Sequence, residues 1–262
     1  SPSVSSSGRK ERTAPAPEIA MLRLAAALAL LLFLPVAPAA AQSRFEGWTT
    51  AIIQADWRDG RGQPIEAFDN ARRDLVEAFA GVGLPRETMV NYSLRTDAPR
   101  EALQGLAETA ARGGRGCLLY FTSHGAPDHM VFGETRLTSD VLAQVVRQTC
   151  GARPTVVIVS ACYSGQFVDA LEAPNRMVFT AARRDRTSFG CGAGERYPWF
   201  DGCVLESLPE ADDFLSLAAT TRICVARRED EAGVPLPSEP QLFVGAEMQI
   251  RLPTLRFERT PR

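Results

Sequence analysis

Two side chains in this sequence have the chemistry of a nucleophile and its base, and each follows an apolar run. Gly116 to Thr122 (GCLLYFT) leads into Ser123-His124-Gly125, and Thr155 to Ser160 (TVVIVS) leads into Ala161-Cys162-Tyr163-Ser164-Gly165. A cysteine thiolate attacks carbonyl carbon, but a free thiol is largely protonated at neutral pH. A nearby imidazole takes that proton and later gives it to the leaving amine. The chain has only two histidines, His124 and His129. His129, beside Pro127 and Asp128, is expected to be exposed at the start of a hairpin, which leaves His124 as the base. The tetrahedral intermediate needs donors aimed at its oxyanion, and the backbone N–H groups of Gly125 and Cys162 are the candidates. Gly125 and Gly165 lack side chains, so close approach of a substrate backbone is expected there. Ser164 is a second candidate nucleophile, one step farther from its strand end. The chain has no G-x-S-x-G elbow of a serine hydrolase. A metal set of His124, Asp128 and His129 matches no helix-face ligand spacing, and no CxxC pair exists for structural zinc. No metal and no cofactor are expected.

These residues need strands that end side by side. Strand-like segments are Trp48 to Ala55, Thr88 to Leu94, Gly116 to Thr122, Thr155 to Ser160, Arg176 to Ala181 and Gln241 to Val244, with a small hairpin around Gly133. Helical patterns lie between them. Ala67 to Ala80 places Phe68, Ala71, Leu75, Ala78 and Phe79 near one face. Pro99 to Ala111 opens with proline in its first turn. Ser139 to Thr149 has Ser139 as its expected cap. A short helix over Gln166 to Leu171, a helical region around Leu205 and Asp212 to Arg227 complete the set. The runs GCLLYFT and TVVIVS are apolar throughout, as strands buried on both faces are. Alternating strands and helices imply an α/β sandwich with a mainly parallel sheet. Ligands of such sheets bind beyond the carboxyl ends of the strands, where His124 and Cys162 fall.

The segments YFTSHGAPDHMVFG and VVIVSACYSGQF resemble the peptidase C13 family, the legumains, and more distantly the caspases. AFDNARRD (67–74), PNRMVFTAARRDRTSFGCG (174–192), RYPWFDGCVLESLP (196–209) and PSEPQLFVG (237–245) resemble a bacterial exported subgroup of it. The resemblance implies a caspase/legumain-like three-layer sandwich with a central sheet of about six strands. It implies a cysteine endopeptidase in which His124 and Cys162 carry catalysis. It also implies that the stretch after the Arg176 strand lines the substrate cleft, so Ser188, Phe189 and Gly190 are candidate substrate-binding residues. Legumains carry acidic residues two before the nucleophile and directly after it. Here those positions hold Ser160 and Tyr163, which join the substrate-binding candidates, and no pocket arginine is evident around Glu66 to Asn70. Glu195 and Asp201 are read as solvated surface acids. A transamidase of the same architecture and a catalytically silent peptide-binding protein are the alternatives.

The chain's 262 residues, 45% apolar and 23% charged, suit one globular domain, expected over 42–262. Its net charge of −2 carries no basic excess that would point to nucleic acid. The expected partner is a peptide or protein substrate. Residues 1–20 are Ser/Pro-rich and expected to be disordered. Met21-Leu22-Arg23, an apolar run to Leu34 and Ala39-Ala40-Ala41 read as a secretory signal peptide over 21–41. Pro35 interrupts the run well short of the roughly 20 residues that a membrane span needs, although an uncleaved membrane anchor is the alternative. A periplasmic or secreted location with an oxidising environment follows. Of six cysteines, Cys191 and Cys203 flank one Gly-rich loop and are the expected disulfide, while Cys117 is expected simply to be buried.

Overall fold

Strict alternation within each apolar run sends successive side chains to opposite faces, and both faces are covered by helices. The computed structural model describes Ser3, residues 43–192 and residues 194–259. The expected extension and signal peptide over 1–41 lie, Ser3 aside, outside the described residues. Along the chain run β1 (Trp48–Gln54), α1 (Ala67–Gly81), β2 (Met89–Ser93), α2 (Pro99–Arg112), β3 (Gly116–Thr122), β4 (Gly125–Ala126), β5 (His129–Phe132), β6 (Thr135–Leu137), α3 (Ser139–Cys150), β7 (Thr155–Ser160), α4 (Val168–Leu171), β8 (Arg176–Thr180), α5 (Trp199–Ser207), α6 (Phe214–Glu231), β9 (Gln241–Val244) and α7 (Ala246–Arg251). Helix α7 carries no signal that the sequence reading used. The cap of α3 is Thr138, whose hydroxyl accepts from Val141 N–H, and not Ser139.

The central sheet has six strands in the order β2-β1-β3-β7-β8-β9. All neighbours are parallel except β9, which runs antiparallel to β8. Strands β4, β5 and β6 form a separate antiparallel meander after His124. On one face Ile52, Leu118, Tyr120, Ile158 and Phe179 pack with Phe79 of α1, Phe200 of α5 and Leu217 of α6. On the other, Ile53, Leu119, Phe121, Val157 and Val159 pack with Leu106 of α2, Val146 of α3 and Leu171 of α4. This is the three-layer α/β sandwich that the run pattern implies. In α1 the buried residues Ala67, Phe68, Ala71, Leu75 and Phe79 follow the helical period.

The cysteines pair differently from expectation. Cys117 of β3 is bonded to Cys150 at the end of α3, and Cys203 of α5 to Cys224 of α6. Cys191 is free, as is Cys162. Cys203 turns inward toward α6, on the fully buried face of α5, so closeness to Cys191 in sequence does not become closeness of sulfurs. Among the described residues no helix is long and apolar enough to cross a membrane.

Candidate active site

The register of β3 and β7 puts the two reactive residues level. Thr122 is paired with Ser160, and Ser123 N–H donates to Ser160 O at 3.0 Å just beyond. His124 and Cys162 each stand two residues past that last pair. The segments then pass so closely that a Cβ on Gly125 would lie 2.1 Å from Cys162 O. Gly125 is therefore required by the approach of the protein's own backbone. Gly165 is similar: its Cβ would lie 2.5 Å from Arg184 N. The expectation that these two glycines make room for substrate backbone is replaced by one of internal packing. Ser164 is fully buried and its Oγ accepts from Ala182 N–H at 3.1 Å, which removes it as a nucleophile.

His124 is held from two sides. Its Nε2 lies 2.7 Å from Arg58 O, and its ring stands edge-on to Phe68 of α1, centroids 5.0 Å apart. With Nε2–H donating to that carbonyl, Nδ1 keeps its lone pair and is the basic nitrogen. The carbonyl is itself anchored. Arg58 Nε donates to Asp56 Oδ1 at 2.9 Å, and its two other nitrogens donate to Glu134 and to Gly133 O, each at 2.8 Å. The guanidinium also lies 4.4 Å from the Trp57 ring centroid. Asp56, Arg58 and the edge of Phe68 were not legible as site residues. Asp56-Trp57-Arg58 does follow β1, so the same carboxyl-edge rule that singled out His124 would have reached them. His129 is half-buried and not exposed as expected; it lies on β5 paired with Ala126, and its Nδ1 is 2.7 Å from the exposed Asp128 carboxylate.

Cys162 is half-buried, and its Sγ hydrogen-bonds to Ser188. Ser188 N–H donates to the sulfur at 3.3 Å, and the sulfur lies 3.4 Å from Ser188 O and 3.6 Å from Ser188 Oγ. The amide donor suits a thiolate. Tyr163, directly after the nucleophile, adopts φ 57°, ψ 15°, a left-handed conformation rare for a residue with a side chain. Its N–H is taken by Arg186 O at 2.7 Å, so it is not an oxyanion donor. Phe189 lies against Trp199, ring centroids 5.7 Å apart, and its carbonyl accepts from Trp199 N–H at 3.0 Å. Gly190 has φ +82°, and a Cβ there would strike Trp199 at 2.3 Å. The 188–190 stretch thus forms a wall beside the sulfur.

Two residues depart from their sequence reading. Asp201, read as a solvated acid, is fully buried. Its carboxylate accepts from Tyr120 and Thr122 of β3 and from Ser160 of β7. Burial pushes its pKa up to about 6, while the three hydroxyl donors pull it down. Ser160 accordingly turns its hydroxyl inward and is 2% exposed. An acid within an otherwise apolar helix, WFDGCV, was the one available signal. Burial, and next the charge of Cys162, push the Cys191 thiol well above its ordinary range. Cys191 is therefore a protonated neighbour of the nucleophile and a poor one itself.

Residues 116–206 match the Peptidase C13 family, a span that runs from β3 to α5 and holds His124 and Cys162. No curated protein matches the chain. Among solved structures it is similar to caspase-1 from Spodoptera frugiperda, with a TM-score of 0.58 and 15% identity over 80% of this chain and 92% of that one. It is also similar to a structure titled pro-sf-caspase-1, with a TM-score of 0.56 and 15% identity over 75% of this chain and 90% of that one. At such identity the likeness speaks for the fold, and the family match speaks for the segment that bears the reactive residues.

Proposed function

We propose that the chain is an exported cysteine endopeptidase working through Cys162 and His124, a reading supported by the match of residues 116–206 to the peptidase C13 family and by the caspase-like fold. The observation that carries this reading is the level placement of the two residues beyond the paired ends of β3 and β7.

The imidazole Nδ1 takes the thiol proton, and the thiolate attacks the scissile carbonyl carbon. A C–S bond forms and the carbonyl electron pair moves to oxygen, where the N–H groups of Gly125 and Cys162 receive it. The intermediate collapses, the C–N bond breaks, and the protonated imidazole gives its proton to the departing amine. Water then attacks the thioester, His124 accepting its proton, and the acid and the free thiol are released. Arg58 O steadies the imidazole through Nε2–H at both stages. In the free protein the sulfur bonds to Ser188 and not to the imidazole, an arrangement compatible with a base that closes on its partner only when substrate is bound. The wall of Ser188, Phe189 and Gly190 is the candidate seat for the substrate backbone. Two disulfides support export, since such bonds persist in oxidising compartments.

The test is labelling with peptidyl electrophiles and cleavage of a fluorogenic peptide set varied at P1. Cys162→Ala and His124→Ala are each expected to lower cleavage by at least about 10³-fold with the fold retained, and Cys162→Ala to abolish labelling. Cleavage that survives Cys162→Ala would sink the reading. Ligated product with an added amine would assign a transamidase instead.

A further inference from the structure

Both strands that deliver the reactive residues are tied, just before their ends, to one acid. Asp201 of α5 has no exposed surface. Its oxygens accept from the Tyr120 phenol, the Thr122 hydroxyl and the Ser160 hydroxyl. Thr122 and Ser160 are register partners, and each lies two residues before its catalytic candidate. The last ladder bond beyond them is Ser123 N–H to Ser160 O. Past that point regular pairing no longer fixes how the chains diverge. A carboxylate bridging the two hydroxyls therefore fixes the exit direction of both segments.

A fold that needed only filling at this point would be better served by an apolar side chain, because a buried acid is expensive to ionise. Nothing on α5 pairs with the carboxylate; all three of its hydrogen-bond donors come from β3 and β7.

We propose that Asp201 is a positioning residue that clamps the ends of β3 and β7 and so sets the separation of His124 from Cys162. This inference rests on the peptidase reading above. It also gives Ser160 a role, as a strut to the clamp, that its sequence position does not suggest. The groups facing Asp201 are Tyr120 and Thr122 from β3, Ser160 from β7 and Cys191 from the segment after β8. Of these Tyr120 and Cys191 titrate, and burial pushes both upward, so both stay neutral between pH 5 and 8 while Asp201 changes charge.

A kcat loss that no loss of stability accompanies separates a clamp from a mere structural bond, and the expected sign of the stability effect follows from the carboxyl's ionisation. Asp201 ionises near 6 in the fold, against about 4 in an unfolded chain. The folded protein then holds a proton in that window that the unfolded chain has lost, so stability present at low pH is lost as pH rises through about 6. An Asn cannot ionise and escapes that loss.

The experiment compares wild type, Asp201→Asn, Thr122→Val and the double variant on the best-cleaved fluorogenic peptide, with melting midpoints at pH 5 and pH 8. Asp201→Asn is expected to lower kcat about 10²-fold with KM within about twofold. Its melting midpoint at pH 8 should equal or exceed that of wild type, and the gap should narrow at pH 5. Thr122→Val should also lower kcat, and the double variant should lose less than the product of the two single losses. A kcat within about twofold of wild type in Asp201→Asn, or a loss that tracks a lowered midpoint at both pH values, would overturn the clamp. If Asp201→Asn does not fold, Thr122→Val decides alone, and an unchanged kcat there overturns it. An unaffected Asp201→Asn in an enzyme that still depends on Cys162 defeats this inference only, whereas cleavage without Cys162 defeats the peptidase reading as well.

Discussion

The loop after β1 and the segment after β8 both reach the same sheet edge, and each holds one of the two reactive residues, but they do so differently. Around Arg58 the backbone is over-determined. One guanidinium satisfies Asp56, Glu134 and Gly133 O and lies on Trp57, and the carbonyl so fixed meets His124 Nε2. Around Ser188 the hold is lighter. Arg183 and Arg184 make exposed ion pairs with Asp185, Glu239 and Asp169. The contact to sulfur comes from one residue in a stretch without regular structure. A base must keep its direction through each proton transfer of acylation and deacylation, so a rigid seat suits it. The nucleophile's flank must admit substrate and exchange a sulfur contact for a substrate contact, so a less constrained wall suits it. The difference reads as a division of labour between a fixed base and an adaptable cleft.

Substitutions on either side of the site separate the two roles. Arg58→Ala leaves the carbonyl that His124 uses, and the backbone bridge of Arg58 to Pro64, but removes the guanidinium contacts that steady it. The expected result is a kcat loss of about 10- to 100-fold with little change in KM, read by steady-state kinetics. An equal rise in KM would mean that the loop serves substrate binding instead. Gly190→Ala acts on the other side, forcing an L side chain into φ +82° against Trp199. It should raise KM by about fivefold, or ~1 kcal/mol, and spare kcat. A collapse of kcat there would make the wall part of the catalytic geometry. The smallest effect is expected from Arg183→Ala. Its pairs with Asp185 and Glu239 are solvent-exposed, and such pairs contribute little. Its melting midpoint should stay within about 1 °C of wild type. A larger fall would show that the segment is tied down more firmly than its contacts suggest.

Much of the fold was legible because burial on two faces writes itself into sequence. GCLLYFT and TVVIVS were readable as sandwiched strands, and the sheet binds them as parallel neighbours. The amphipathic period of α1 gave Phe68, Ala71, Leu75 and Phe79 of its buried face, while Ala78 is only half-buried and Ala67 also lies inside. What was not legible depended on partners distant in the chain. Cys203 reaches Cys224 and not Cys191 because α5 turns its buried face to α6. Gly125 and Gly165, read as room for substrate, are instead where segments of the same chain press together.

The sequence by itself determined the layer order, the parallel core strands and the two residues that could do covalent chemistry, since periodicity and residue type are local properties. Only the tertiary structure decided what supports them. A backbone carbonyl 66 residues before His124 orients it, a serine 26 residues after Cys162 flanks it, and an acid from α5 reaches under both strand ends. Direction and burial of these groups follow from chain crossings, and no pattern confined to neighbouring residues encodes where distant segments meet.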